Sequence, residues 1–292
     1  MGRKGKGKKA ETATARHVCL NGRSAPGIAT SPLAHACLII VFGFLAYSNS
    51  FHVPFQWDDK YFINENPIIR DFNYFLHPGQ AEVFGMLHDH LRGRYIGYLT
   101  FALNYRVNGL DVTGYHIVNF SIHVINALLV YWLARLTFRT PFFAKPAHAN
   151  DRFIPLFSAL LFISHPLQTE AVTYIYQRLA SLSALFYLLS VSSYVRSRLS
   201  ETRRVQITFL VISLIAAALG MKTKENAFTI PITIALYELC FFIGPFQSRI
   251  ARLSFFLPLM LIIPAMQLRT YRPLGEMIAG MGDAATSIWP KD

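Results

Sequence analysis

Two adjacent aspartates, Asp58 and Asp59, follow Trp57 shortly after the first long apolar stretch of the chain. Near an apolar phase, two neighbouring carboxylates are costly to keep charged unless another group pairs with them or uses them. Their mutual repulsion raises one pKa, which leaves a carboxylate able to take a proton from a hydroxyl group. The pair is therefore a candidate catalytic base, although adjacent aspartates also occur in ordinary solvated turns.

A second polar group, His165, Glu170 and Arg178, separates two later apolar stretches. Pro166 fits the first turn of a helix that runs from Leu167 onward. On such a helix Glu170 and Arg178 share one face. The pattern predicts either a phosphate-binding arginine supported by His165 and Glu170, or side chains that only anchor the segment among lipid headgroups.

A third polar group, Lys222, Lys224 and Glu225, stands immediately before the apolar stretch 227–243. A helix that begins with this stretch points its free N–H groups at any anion that the lysines attract. Lys222 and Lys224 are therefore candidate phosphate ligands, with Glu225 in support. Lysines at a helix end also mark the edge of a membrane without binding anything.

The composition indicates a membrane protein. Of the 292 residues, 53% are hydrophobic and only 15% are charged, and the apolar residues gather in blocks. The net charge of +12 does not predict nucleic-acid binding, because Lys and Arg cluster beside the apolar blocks and form no stripe with interleaved aromatic residues. The 3 cysteines, Cys19, Cys37 and Cys240, show neither metal-ligand spacing nor a disulfide framework.

The apolar blocks predict an all-α, polytopic membrane protein with about seven transmembrane helices. Block 153–164 is short for a bilayer, which takes about 20 residues to cross. Without that crossing, however, the basic residues 196–204 would lie outside, against the positive-inside rule. The seven blocks are residues 33–47, 115–136, 153–164, 179–195, 205–221, 227–243 and 253–268.

Charge also orients the chain. Residues 1–32 are rich in Lys and Arg and predict a disordered, basic cytoplasmic tail. The block 33–47 is interpreted as an uncleaved first helix, because no small-residue cleavage signal follows it. The remaining inside connections then hold Arg135, Arg139, Lys145, Arg152, Arg196, Arg198, Arg203, Arg204, Arg249 and Arg252.

The transmembrane domain is predicted over residues 33–270, followed by an external tail at 271–292. A large external loop, residues 51–114, is polar overall yet rich in aromatic residues, as expected for helices that lie at a membrane surface. Residues 94–107 are the best candidate for such an interfacial helix.

With this topology the three polar groups lie on the external side, the periplasm of a bacterial inner membrane or the lumen of a eukaryotic endoplasmic reticulum. A carboxylate and cations at one depth fit a lipid-phosphate substrate, because a polyprenyl-phosphate sugar holds its phosphate at this level. No ligand spacing demands a metal or another cofactor, although the external carboxylates could hold a divalent cation.

Four motifs occur in a characteristic order: residues 55–59, residues 99–105 with 114–126, residues 165–178, and residues 222–226 with Tyr237 and Glu238. In this order they resemble the transmembrane O-mannosyltransferases with C-terminal tetratricopeptide repeats, and their bacterial relatives, within the GT-C glycosyltransferase superfamily. The resemblance covers roughly residues 35–270 and rests on four ordered motifs together.

The resemblance implies a GT-C-like fold and an enzyme that transfers a sugar from a polyprenyl-phosphate donor to an acceptor hydroxyl, on a protein or a glycan, at the external face. Asp58 or Asp59 would deprotonate the acceptor. Arg178, Lys222 or Lys224 would neutralise the departing lipid phosphate.

The sequence departs from the family pattern because it shows no repeat period of about 34 residues, and we expect a truncated member. Two other functions stay open. The same charges could line the path of a transporter or a lipid-binding membrane protein, or the chain could be an inactive remnant.

Overall fold

A computed structural model describes residues 31–143 and 153–261 of the chain. Helices joined by short loops make up both ranges, and neither range contains a β-strand, which confirms the predicted all-α class. The predicted basic tail, apart from its last two residues, and the predicted tail 271–292 lie outside the described residues, as do Lys145 and Arg152.

The described α-helices differ widely in length. In chain order they are α1 Pro32–Tyr47, α2 Asn73–Leu76, α3 Met86–Gly93, α4 Tyr95–Asn108, α5 Val112–Thr137, α6 Ile154–Ser164, α7 Thr169–Thr173, α8 Arg178–Arg198, α9 Arg203–Met221, α10 Ile230–Phe241 and α11 Phe246–Leu253.

Three helical segments in the described ranges are long and apolar enough to cross a membrane: α5, α9 and Ile175–Arg198, which joins a 3-10 turn to α8. The apolar helices α1 and α6 are shorter, with 16 and 11 residues. The predicted block 227–243 divides into a 3-10 helix, Glu225–Thr229, and α10. The structure thus supports a membrane protein, and seven crossings stay a prediction.

Helix α5 shows the inside-out polarity of a membrane helix. His116, Asn119, His123 and Asn126 are all buried, and their spacing of three and four residues puts them on one face. Large apolar side chains of the same helix, such as Ile117, are exposed. A helix in water has the opposite arrangement, whereas a membrane helix keeps its polar side chains toward the bundle.

Helices α5 and α8 run parallel to each other. Arg178 at the start of α8 donates to Asn119 in the first half of α5 at 2.7 Å, and Leu136 and Val195 share an apolar cluster near the ends of both helices. Helix α9 runs antiparallel to α8, since Ser197 near the end of α8 donates to the carbonyl of Gln206 near the start of α9. Midway along both helices, Ser190 and Ser213 each donate their hydroxyl to the other's carbonyl. Serines allow this close approach of two backbones.

The shorter apolar helices span between the same two ends of the bundle. In α1, His35 contacts Tyr131 in the last part of α5, and Tyr47 contacts His123 in its first half. Phe153, which precedes α6, contacts His35 near the start of α1, and Tyr237 in the second half of α10 bonds Thr137 at the end of α5. Six blocks, those of α1, α5, α6, α8, α9 and α10, therefore alternate in direction, as the seven-span arrangement requires of them. The end that contains the carboxyl termini of α5 and α8 carries Arg135, Arg198 and Arg203, and we call it the basic end.

Most of the predicted external loop forms a folded layer over the opposite end, which we call the polar end. Its largest helix, α4, matches the helix predicted at 94–107. Tyr98, Phe101 and Phe75 form an apolar core with Leu179 of α8. A Cβ atom on Gly97 would lie 2.0 Å from Leu179 Cδ2, so the missing side chain lets α4 cross the start of α8.

The single helix predicted from Leu167 onward is wrong. The structure has a 3-10 turn at Pro166–Gln168, then α7, then a second 3-10 turn at Ile175–Gln177 before α8. Tyr174 breaks the helix with extended dihedral angles, φ −93° and ψ 109°. Glu170 and Arg178 consequently belong to different helices and share no helical face.

Candidate active site

The two aspartates of the first motif differ sharply in their surroundings. Asp59 is 1% exposed, and its carboxylate accepts the backbone N–H groups of Gln56 at 3.0 Å and Tyr176 at 2.7 Å. Burial raises the pKa of Asp59, against the opposing effect of these N–H donors. The predicted rise in one carboxyl pKa thus falls on Asp59, and its main cause is burial. Asp59 ties the loop to the segment that leads into α8.

Asp58 is exposed at the same turn. Its backbone N–H donates to the hydroxyl oxygen of Tyr174 at 3.1 Å. That hydroxyl also bonds the Asp58 carboxylate. Burial first, and next the bond to this carboxylate, raise the pKa of Tyr174 to about 12, against the opposing effect of the Asp58 backbone N–H. Trp57, which is 85% exposed, has a left-handed φ of 46°, a conformation that costs energy and that its surroundings must maintain. This turn directs the Asp58 carboxylate outward and the Asp59 carboxylate inward.

An aromatic wall stands beside this turn. The ring of Phe62 stacks on Tyr176 at 4.6 Å and on His90 at 4.8 Å between ring centroids. The Tyr176 hydroxyl oxygen lies 3.4 Å from His90 Nδ1. Burial, and next the charge of Arg94, lower the pKa of His90. A neutral imidazole therefore stands close to the exposed carboxylate of Asp58, whose charge acts on it.

Arg94 joins the aromatic wall to the third polar group. Its Nε donates to Glu225 Oε1 at 3.0 Å and its Nη1 to the Tyr176 hydroxyl at 3.1 Å. Burial of Glu225 acts to raise its pKa, but the bonds from Arg94, a backbone N–H and the charges of Arg94 and Lys224 together lower it. The pKa of Lys224 is lowered, first by burial and then by Arg94. The backbone N–H of Ile96 donates to the carbonyl of Lys222 at 3.1 Å.

The lysines therefore lie at the polar end, next to the start of α4. The helix start predicted beside them is a 3-10 helix of five residues, and the α-helix begins only at Ile230. A helix dipole of that length adds little, so any phosphate affinity there must come from the side chains.

Arg178 is fully buried and is bonded on all sides. Its guanidinium donates to the Asn119 and Asn104 side chains at 2.7 and 2.9 Å, and to the carbonyls of Tyr115 and Thr100 at 3.0 and 3.3 Å. It also lies over the Phe101 ring, 4.6 Å from the centroid. The sequence placed Arg178 with the lysines, but the structure encloses it among α4, α5 and α8.

The two remaining predicted residues lie at the polar end with different contacts. His165 Nδ1 accepts the backbone N–H of Leu167 at 3.2 Å and so caps the short 3-10 turn that follows it. Glu170 is exposed, accepts a long bond of 3.4 Å from Gln177, and acts electrostatically on Lys224. No group of three His, Cys, Asp or Glu side chains in the described ranges has the arrangement of a metal site.

Sequence reasoning missed four members of this cluster: His90, Arg94, Tyr174 and Tyr176. The two tyrosines lie inside the third motif, between Glu170 and Arg178, and that position was the available signal. In the sequence, Arg94 is marked only by its place at the start of the helix predicted at 94–107. His90 carries no signal, since its partner Tyr176 is 86 positions away.

The fold and site together define a helical membrane protein with a folded polar layer, in which an exposed carboxylate lies at the same end as two lysines. No protein-family model and no solved structure matches the chain. Curated relatives do match. The chain is 29% identical to human protein O-mannosyl-transferase TMTC1 over 229 residues, which are 73% of this chain and 24% of that protein.

Two further relatives come from other animals. Identity is 31% over 208 residues with protein O-mannosyl-transferase tmtc2 of Xenopus laevis (68% of this chain, 23% of that protein). It is 26% over 204 residues with protein O-mannosyl-transferase F38B6.6 of Caenorhabditis elegans (68% and 27%). The chain spans about a quarter of the length of these proteins. The predicted resemblance is confirmed: the chain is a relative of the TMTC-type protein O-mannosyl-transferases.

Proposed function

We propose that this chain carries the sugar-transfer site of a membrane glycosyltransferase, which takes a sugar from a polyprenyl-phosphate donor and places it on a Ser or Thr hydroxyl of a protein. The relatives' names suggest mannose as the sugar and protein as the acceptor. The observation that carries the proposal is the exposed carboxylate of Asp58, held at the same end of the bundle as Lys222 and Lys224.

The reaction is a single displacement at the anomeric carbon. The acceptor oxygen attacks that carbon while its proton passes to the Asp58 carboxylate. The bond between the anomeric carbon and the phosphate oxygen breaks, and the polyprenyl phosphate leaves with the electron pair. Lys222 and Lys224 stabilise the negative charge that develops on this leaving group. Arg94 holds the neighbouring Glu225 and keeps this turn against α4.

Asp59 and Arg178 have positioning roles in this proposal. Both carboxylate oxygens of Asp59 accept backbone N–H groups, so Asp59 fixes the turn that presents Asp58. Arg178 fixes α4 and α5 to the start of α8. The acidic site faces the endoplasmic reticulum lumen of a eukaryote or the periplasm of a bacterium, opposite the basic end.

The test is a transfer assay with the purified full chain in detergent, a radiolabelled polyprenyl-phosphate mannose and a Ser/Thr-containing acceptor peptide. Asp58→Asn should reduce transfer by roughly 10² to 10⁴ fold, the usual contribution of a general base. Glu82→Gln is the matched control, because it makes the same change at an exposed carboxylate of the same loop. We expect the control to keep wild-type transfer.

Three outcomes would count against the proposal. Full transfer by Asp58→Asn at normal abundance would show that Asp58 is not the base. Saturable donor binding by the wild-type chain without any transfer would favour the lipid-binding or inactive alternative. A donor that crosses the membrane of sealed vesicles would favour a transporter.

A further inference from the structure

A cavity of about 370 Å³ opens at the basic end, far from the proposed transfer site. Its walls come from the end of α8, the start of α9, the end of α11 and the 3-10 helix Ser254–Leu261 that follows α11. Three arginines line it: Arg198, Arg203 and Arg252. The proposed transfer reaction uses none of these residues.

The charge in this cavity is not balanced by the described protein. Glu238 is fully buried and accepts bonds from Arg198 at 2.9 and 3.0 Å, which neutralises that arginine. Arg203 and Arg252 are exposed, and no carboxylate of a described residue lies within 4.0 Å of either one. Two positive charges therefore face the cavity, which is the requirement for holding a phosphate group.

The rest of the lining combines the polar side chains of Tyr194, Ser197 and Gln206 with apolar ones. Ile207 and Leu210 of α9 face the cavity together with Phe255, which is 58% exposed. From Ile207 an exposed apolar stripe continues along α9 through Val211 and Ile215, at the four-residue spacing of one helix face. A ligand of this cavity can therefore place an anionic group on the arginines and a hydrocarbon chain along α9.

We infer that this cavity binds the headgroup phosphate of an anionic membrane phospholipid, with an acyl chain against the stripe on α9. The charge of the arginines complements the headgroup, and the adjoining stripe selects a lipid over a free phosphate ion. The positive-inside rule puts the basic end in the cytoplasmic leaflet, where anionic lipids attract cationic residues.

The experiment uses the full chain in phosphatidylcholine vesicles that contain a trace of spin-labelled phosphatidylglycerol or spin-labelled phosphatidylcholine. Electron spin resonance measures the motionally restricted fraction of each label. Wild-type protein should prefer phosphatidylglycerol by roughly ten-fold or more, since each cation near the headgroup contributes about 1 kcal/mol. The double variant Arg203→Gln, Arg252→Gln should lose most of this preference.

The matched control is Arg139→Gln, Arg204→Gln, which removes two positive charges from residues that do not line the cavity. It should keep the preference for phosphatidylglycerol. An equal loss of preference in both double variants would mean that the total positive charge of the basic end causes the preference, which would overturn the assignment to this cavity. Inorganic phosphate at millimolar concentration should leave the restricted fraction unchanged. Displacement by phosphate would overturn the lipid assignment, and so would a wild-type protein without preference between the two labels.

Discussion

Asp58 and Asp59 are adjacent in the sequence, but the turn at Trp57 places their carboxylates in different environments. Asp59 points inward to the Tyr176 N–H, and Asp58 remains in solvent beside Tyr174. The carboxylate of Asp59 cannot take a proton from a substrate hydroxyl, because it is buried and out of reach of a substrate. The exposed carboxylate is the one that a substrate hydroxyl can approach.

Asp59 should make the stability of the protein depend on pH. Burial raises its pKa, so the folded protein binds this proton more tightly than the unfolded chain does. This contribution to stability is complete below the ordinary carboxyl pKa of about 3.9 and is lost as pH rises through the raised pKa. Asp59→Asn cannot ionise. Its melting temperature relative to wild type should therefore improve as the pH rises above about 3.9 and through the raised pKa of Asp59.

The side chain of Asp59→Asn has one oxygen, so it accepts only one of the two backbone N–H groups. The variant therefore has a lower stability than the wild type before any effect of pH. The slope of the difference with pH, measured by thermal unfolding in one detergent, is the decisive quantity. A difference that stays constant over this range would contradict the assignment.

Lys222 and Lys224 should contribute to donor binding. Lys222→Gln or Lys224→Gln removes a charge-assisted contact worth roughly 1.5 to 3 kcal/mol, and so weakens affinity for a polyprenyl-phosphate sugar by roughly ten-fold or more. Acceptor binding should be spared. Lys60→Gln is the control, because Lys60 is an exposed lysine of the same layer whose ion pair with Glu65 is long, at 3.7 Å. Direct binding of a labelled donor to purified variants measures the effect, and unchanged affinity in both variants would leave the lysines as interface anchors.

At the scale of the helices, Arg178 is the residue that holds α4, α5 and α8 together. Its four hydrogen bonds reach two carbonyls and two asparagine side chains across 59 to 78 positions of sequence. The buried asparagines in turn need a donor, since an unpaired polar group inside a bundle is costly. The arginine and its acceptors therefore stabilise one another.

Arg178→Lys should destabilise the protein although the charge is kept. A lysine has three donors at one point and cannot serve acceptors on both sides of a planar fork, so at least one buried acceptor loses its partner. We expect a loss of about 3 kcal/mol, the upper value for a bond to a charged group, seen as a lower melting temperature. Arg106→Lys, at an exposed position of α4, should change little. A variant with normal stability but weakened donor affinity would instead support direct phosphate binding by Arg178.

The helices could be predicted more fully than their breaks. The apolar runs of α5, α8 and α9 exceed or approach bilayer length, so composition alone located them. The interruption at Tyr174 could not be predicted, because it depends on an aspartate 117 positions from its partner Tyr176. Arg178 was misplaced for a similar reason. A lone arginine at the edge of an apolar block resembles an interface anchor until its distant partners Asn104 and Asn119 are known.

Across the whole molecule, charged groups are sorted to the two ends. The polar end has carboxylates and cations in contact, such as Arg94 with Glu225. The basic end has Arg135, Arg203 and Arg252 with few described acids beyond Glu238, which is paired. From such an asymmetry of positive charge, the positive-inside rule predicts that the basic end faces the cytoplasm. The asymmetry also separates the proposed transfer site from the proposed lipid site by the length of the bundle.

The orientation of the bundle can be tested with single cysteines at the two ends. Lys60 at the polar end and Arg203 at the basic end are both exposed, whereas Asp59 is too buried for labelling. In a background with Cys19, Cys37 and Cys240 changed to Ser, Lys60→Cys and Arg203→Cys are treated with an impermeant maleimide on sealed vesicles whose cytoplasmic face is outward. Arg203→Cys should react at once and Lys60→Cys only after detergent is added, because positive charges stay in the cytoplasm. Immediate labelling of Lys60→Cys alone would invert the orientation, and immediate labelling of both would refute the membrane-crossing arrangement itself.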